Sequence, residues 1–368
     1  MKIKFNNLFT QHKKINNLLI KAFKKNVKKS EFIGGDDVLK FENNFKKVNN
    51  SKYCISCANG SDALTIAIKT LGIKNNDEVI TTCFSWIATS ASITMAGGKV
   101  VFADIEKNSF NINFDEIVKK KTKKTVGIIV VHLYGYPIDM KKIMKFATQH
   151  KLWVIEDCAQ AHLSQIEDKK VGNFGDIGTF SFFPSKNLGA LGDAGCMVTN
   201  NFNYSKKARL LANHGGKGLH LLEGMNSRLD SLQASFLNIK LKNISMETNL
   251  RINYASIYAK QLENLKNIKL PTIFNYRKNV YHQFSIKTKF RDQLKIYLNN
   301  KGIETQIYYK KILPQLKPYA KKYNLKKEFP NGLNSSKEVL CLPISPSLKK
   351  NEIIYISNCI KNFLKKRK

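Results

Sequence analysis

Acidic residues are scarce in this chain: 27 Asp and Glu stand against 62 Lys and Arg, for a formal net charge of +35. Long apolar runs are missing too, with none near the roughly 20 residues that cross a bilayer. The opening Met1-Lys-Ile-Lys-Phe-Asn-Asn7 has no apolar segment followed by a small-residue cleavage site, so a cytoplasmic protein without a membrane partner is expected. No GxGxxG follows the first expected strand and no GxxxxGK[ST] occurs anywhere, which argues against both glycine-rich nucleotide cradles. The seven cysteines include a single CxxC, Cys54 and Cys57, with no second CxxC or CxxH to complete a zinc site. Reduced thiols used in packing, and no metal, are expected.

The basic excess has two possible sources. A nucleic-acid footprint would gather Lys and Arg on one face or arm. Here the lysines are spread along the chain, apart from short clusters such as Lys119-Lys120-Lys121 and the tail Lys365-Lys366-Arg367-Lys368. The charge reads as solvated helix faces, and no nucleic-acid partner is expected. A positive field does favour an anionic substrate such as a nucleotide diphosphate.

The 368 residues can hold one large core and a smaller second one. Short apolar segments at Cys54–Ala58, Glu78–Thr82, Lys99–Ala103, Val126–Val131 and Leu152–Ile155 alternate with helical patterns. That alternation predicts an α/β fold with a mostly parallel sheet covered on both sides. A long helical region is expected from Leu232 to about Leu265, and a last helix from Asn351 to Leu364. Residues 1–248 are read as the large domain and 249–368 as a smaller α/β domain.

In such sheets ligands collect at the carboxyl ends of the strands, where Ser61, Trp86, Tyr134 and Asp157 fall. One stretch stands out, Thr179 to Gly195, in which a β-type run stops at Pro184, presents Lys186 and continues through Gly189, Gly192 and Gly195. Crowding by Phe180, Phe182 and Phe183 would lower the lysine pKa and make it a usable amine nucleophile. The other reading is a surface lysine at a strand end. Gly60 and Ser61 open a helix and offer a phosphate site, or simply a turn and cap. Asp157 either bonds a ring N–H or caps a helix beginning near Ala159. Trp86 either stacks on a flat ring or fills core. Together an amine, a buried carboxylate, a phosphate cradle and a stacking aromatic are what pyridoxal 5′-phosphate requires.

Four segments carry a family resemblance: Cys57-Ala-Asn-Gly-Ser-Asp-Ala-Leu64, Glu156-Asp-Cys-Ala-Gln-Ala-His162, Ser181-Phe-Phe-Pro-Ser-Lys-Asn187 and Gly224-Met-Asn-Ser-Arg-Leu-Asp-Ser-Leu-Gln233. In this order they resemble the DegT/DnrJ/EryC1/StrS family of sugar aminotransferases. The resemblance implies an aspartate-aminotransferase-like (fold type I) architecture and a homodimer with shared active sites. It also implies a nucleotide-linked keto-sugar substrate (UDP or dTDP) and L-glutamate as amino donor. Lys186 would carry the cofactor and shuttle a proton, Asp157 would hold the ring nitrogen, Gln160 the ring hydroxyl, and Trp86 would stack. Gly60, Ser61 and Ser181 would hold the phosphate, joined by Asn226 from the partner subunit. His162 lies in a family motif without an assigned role. The family's His-Tyr-Pro segment is replaced here by Tyr308-Tyr-Lys-Lys311. Tyr308, Lys310 and Lys311 are candidate substrate contacts there, the lysines either on a diphosphate or merely solvated. Another fold type I reaction, an amino-acid transaminase or lyase, and a non-catalytic basic binding protein remain as alternatives.

Overall fold

The computed structural model describes residues 2–320 and 323–365, so Lys366, Arg367 and Lys368 of the basic tail lie outside the described residues. Twelve strands are described: β1 (Tyr53–Cys57), β2 (Glu78–Thr82), β3 (Lys99–Ala103), β4 (Thr125–Val131), β5 (Trp153–Asp157), β6 (Gln165–Ile166), β7 (Lys169–Lys170), β8 (Ile177–Ser181), β9 (Gly195–Thr199), β10 (Arg277–Lys278), β11 (Phe284–Lys287) and β12 (Val339–Leu342). Seven of them form one sheet in the order β1-β9-β8-β5-β4-β2-β3. Within it β9 runs antiparallel to β8 and β1, and the remaining pairs are parallel. The expected parallel α/β sheet is present.

Strand period decides which layer each side chain enters. In β4, Ile128 and Val130 join Met140 and Ile143 on one face, and Ile129 joins Ile55 and Ile66 on the other. Gly127 is required beneath Trp153, because a Cβ there would lie 2.2 Å from the indole. The same period sends Cys54 and Cys57 into different clusters, both as buried free thiols.

The C-terminal part is built on the antiparallel pair β11–β12 and the helices Arg291–Asn300 and Lys350–Lys365. Its core is continuous with Phe84, Phe102, Leu133 and Tyr134, which follow or end strands of the large sheet. Burial of this shared apolar surface presses the C-terminal part onto the carboxyl ends of β2, β3 and β4.

The long helical region expected from Leu232 to about Leu265 is present as two helices, Ser231–Leu241 and Ile244–Leu262, separated at Lys242-Asn243. Asn243 is a poor interior helix former, and its N–H turns back to the Lys240 carbonyl (3.0 Å). No helix begins at Ala159; residues 158–164 form turns. The division expected between residues 248 and 249 falls inside the helix Ile244–Leu262.

Candidate active site

The lysine loop is fixed by backbone hydrogen bonds. Phe182 N–H donates to Ala194 O (2.7 Å), Ala190 N–H to Phe182 O (2.7 Å), and Lys186 N–H to Phe183 O (2.8 Å). A Cβ on Gly189 would stand 2.3 Å from the Pro184 carbonyl oxygen, so the turn closes only around glycine. Phe182 meets Phe41 and Phe45 edge-on at 5.2 Å, and Phe180 meets Phe45 at 5.1 Å. Phe183, two residues past the end of β8, does not join them and is 51% exposed. Burial pushes the Lys186 amine down to about 8, against the opposing attraction of Asp157.

Asp157 ends β5, 5% exposed. Its Oδ1 accepts the Ala159 N–H (3.1 Å) and its Oδ2 the Thr89 hydroxyl (2.9 Å). The capping expected of it is therefore given to a turn, not a helix. Burial raises its pKa, although Ala159, Thr89, Lys186 and His132 oppose the shift. Such a carboxylate has room for a cationic partner.

Glu156 belongs to another network. It accepts N–H groups from Gly172 (2.9 Å), Phe174 (2.7 Å) and Gly175 (2.8 Å), and sits 3.0 Å from His132 Nε2. His132 Nδ1 accepts the Ile138 N–H (3.1 Å), so Nε2 carries the proton given to Glu156. Burial would raise the Glu156 pKa, yet His132 and these backbone donors outweigh it and hold it low. With Cys158, these residues have ligand atoms within 4.8 Å of one another. The His132 and Glu156 donor atoms are already used internally, so the trio reads as a structural brace.

The phosphate cradle is visible in what does not fit. A Cβ on Gly60 would lie 2.6 Å from Ser181 Cβ, and one on Gly195 would lie 2.4 Å from the Asn59 carbonyl. Asn59 caps the helix Gly60–Thr70 through the Asp62 N–H (2.8 Å), leaving the amides of the first turn at an exposed helix end beside Ser61. Such an end favours an anion.

Tyr309, not singled out in the sequence, joins the remaining parts. Gln160 Nε2 lies 3.2 Å from its hydroxyl, while Gln160 Oε1 accepts the Tyr134 N–H (2.7 Å). The Trp86 and Tyr309 ring centroids are 6.1 Å apart, and Trp86 is 60% exposed, a wall and not core. Tyr308 points its ring at Phe5 (6.2 Å) and its carbonyl accepts the Tyr134 hydroxyl. Lys310, Lys311 and Asn226 are exposed. Asn226 Oδ1 accepts from Arg228 (2.7 Å), and its neighbour Ser227 bonds Asp62 (2.7 Å) at the cradle helix. His162 is buried between Phe180 and Phe182, each 5.5 Å away, with both ring nitrogens lacking a hydrogen-bond partner among the described residues. Burial and Lys186 push it down to about 3.

These residues fit pyridoxal 5′-phosphate: a glycine-lined anion cradle, an amine of lowered pKa and a buried carboxylate gather at the carboxyl ends of β1, β5 and β8. Comparison with known proteins agrees. The model of the DegT/DnrJ/EryC1/StrS aminotransferase family matches residues 13–361. A "pleiotropic regulatory protein" of Geobacillus stearothermophilus is 38% identical over 99% of each chain. The UDP-N-acetyl-3-dehydro-alpha-D-glucosamine 3-aminotransferase of Acidithiobacillus ferrooxidans is 40% identical over 84% of each. The crystal structure of NtdA from Bacillus subtilis, with its cofactor PMP bound, superposes with a TM-score of 0.90 at 28% identity, covering 99% of this chain and 85% of that one.

Proposed function

The chain belongs to the DegT/DnrJ/EryC1/StrS aminotransferase family, and from that premise we propose that it moves an amino group from L-glutamate to the keto-sugar of a UDP- or dTDP-linked nucleotide. It is a pyridoxal 5′-phosphate-dependent aminotransferase acting on nucleotide sugars. Its amino-sugar product would serve surface polysaccharide synthesis in the cytoplasm. The observation that carries the reading is Lys186 on its glycine-closed turn after β8, within electrostatic reach of Asp157 buried at the end of β5. A purely regulatory protein, as the Geobacillus relative's name suggests, has no need of that pair.

When bound, the cofactor supplies a carbonyl that takes up an amine and a cationic ring that withdraws electrons. The protein's part is to hold and to move protons. Lys186 Nζ would hold the cofactor and, as a free amine, would carry the proton taken from the donor's α-carbon. Asp157, whose carboxylate accepts from Ala159 and Thr89, would hold the ring N–H. Gln160 is set by Tyr134 and Tyr309 to reach the ring hydroxyl, and Trp86 walls the outer face. Gly60, Ser61 and Ser181 hold the phosphate with the partner's Asn226. Lys310, Lys311 and Tyr308 line the approach for the diphosphate and sugar. In this reading residues 1–248 bind the cofactor and 249–368 form the smaller domain.

Exposed Ile20, Phe23 and Val27 on one face of the helix Asn16–Lys29, with Phe32 and Ile33 after it, support a homodimer. An apolar stripe of that kind on a basic surface is suited to a second copy. The deciding experiment is the visible spectrum of the purified enzyme. A yellow protein that bleaches with L-glutamate and recovers with a UDP- or dTDP-keto-sugar is expected. A protein that stays colourless with added cofactor rejects the reading.

A further inference from the structure

A second cavity, ≈ 250 Å³, lies between the loop after β3, the loop after β4 and the segment from Lys269 to Lys287. None of the proposed cofactor or substrate residues lines it. Tyr134 stands beyond its wall, with its ring 5.0 Å from Phe110 and its N–H on Gln160.

The polar groups facing this cavity are buried and incompletely bonded. Asn279 and Asn111 are 6% and 5% exposed, yet Asn279 Nδ2 and Asn111 Oδ1 have no hydrogen-bond partner among the described residues. Arg277 is held between Phe274 (4.3 Å) and Tyr276 (4.9 Å). Its Nη1 donates to Pro137 O (3.2 Å) and its Nη2 to the Tyr276 hydroxyl (2.7 Å), with the Asp139 carboxylate 3.6 Å away. Only its Nε is left unpaired among the described residues. Lys287, 7% exposed, lies 4.4 Å over the Phe110 ring and, among the described residues, makes two long hydrogen bonds, to the carbonyls of Lys107 (3.4 Å) and Ser109 (3.3 Å).

Leaving this many polar groups unbonded in an enclosed site is costly. Two cations and an amide donor meet there, with Asp139 3.6 Å from Arg277 and the pull of Glu338 and buried Asp104 on Lys287 only partly offsetting the cost of burial. We propose that the cavity is a phosphate-binding site in which Arg277 Nε, Asn279 Nδ2 and Lys287 Nζ donate to a small phosphate or phosphomonoester. Asn111 Oδ1 is an acceptor among these donors, beside the buried Ser285 hydroxyl that can donate or accept, and a phosphate that keeps one O–H can satisfy it, whereas a carboxylate cannot. The apolar walls at Phe110 and Phe274 suit the ester carbon. Burial, helped by Lys269, pushes Lys287 down to about 8 against the pull of Glu338 and Asp104, and a bound anion would relieve that.

The test is calorimetric titration of the cofactor-loaded enzyme, separately with inorganic phosphate and with methyl phosphate. Saturation by at least one at about one site per chain is expected, the tighter of the two identifying free phosphate or an ester as the natural source. Asn279→Leu and Lys287→Met should each weaken binding at least tenfold while the glutamate half-reaction is retained. Hydrogen exchange on the unmodified enzyme guards against variants that fold poorly: phosphate should slow exchange in residues 107–111 and 277–287. Absence of saturation by both probes, binding undiminished in both folded variants, or protection confined to the cofactor cleft overturns the proposal.

Discussion

Glu156 and Asp157 are neighbours on β5 whose side chains leave on opposite faces, and that alone separates their roles. Glu156 meets three backbone donors and His132, so Glu156→Ala strands buried N–H groups. A loss of about 3–5 kcal/mol is expected from denaturant unfolding. Asp157→Asn should unfold almost as the parent does while turnover falls by orders of magnitude; equal rates would reduce the carboxylate to a turn cap. His162 gives a pH test. Its pKa of about 3 in the fold lies below the unfolded value of 6.5, so the unfolded chain takes up the proton first as pH falls. Its contribution is intact above pH 6.5 and is lost progressively toward pH 3. His162→Leu should therefore lose less stability between pH 7 and pH 5, by about 2 kcal/mol. Parallel curves for the two proteins would show that the ring finds a partner in the fold.

At the scale of elements, the cradle rests on one capped helix meeting one strand end. Gly60→Ala drives a methyl into Ser181, and Asn59→Ala removes the cap from the helix Gly60–Thr70. The second should cost about 1 kcal/mol. Both should speed loss of cofactor on dialysis, with Gly60→Ala the worse, and unchanged retention would move the phosphate elsewhere. Much of this was legible beforehand. Strand runs such as Val126–Val131 announce buried parallel pairing because both faces are apolar, and glycines around Lys186 announce close backbone approach. The break at Lys242-Asn243 was not legible, since periodicity passes through a short kink unchanged. The turns after Asp157 were hidden because Asp before Ala-Gln-Ala suits a helix start and an Asx-turn equally. Tyr309 was missed for a different reason. Its place beside Gln160 and Trp86 depends on a contact between segments about 150 and 220 residues apart, which no local pattern encodes.

For the whole molecule, the question is whether one chain makes a complete site. Asn226 is exposed, its side-chain oxygen accepting from Arg228, while the apolar face of the helix Asn16–Lys29 also turns outward. Two surfaces that each lack a counterpart suggest one symmetric partner, because a two-fold dimer offers both patches twice. If Asn226 serves the other subunit's cradle, Lys186→Ala and Asn226→Ala damage different sites when placed in different chains. A heterodimer of the two, co-expressed with separate tags and purified through both, then contains one doubly damaged site and one intact site. About half of the parent's activity per dimer is expected from two variants that are each nearly inactive as homodimers. Were Asn226 to act within its own chain, each site of that heterodimer would carry one lesion and no activity would return. The measurement therefore reads the shared architecture of the site directly from turnover.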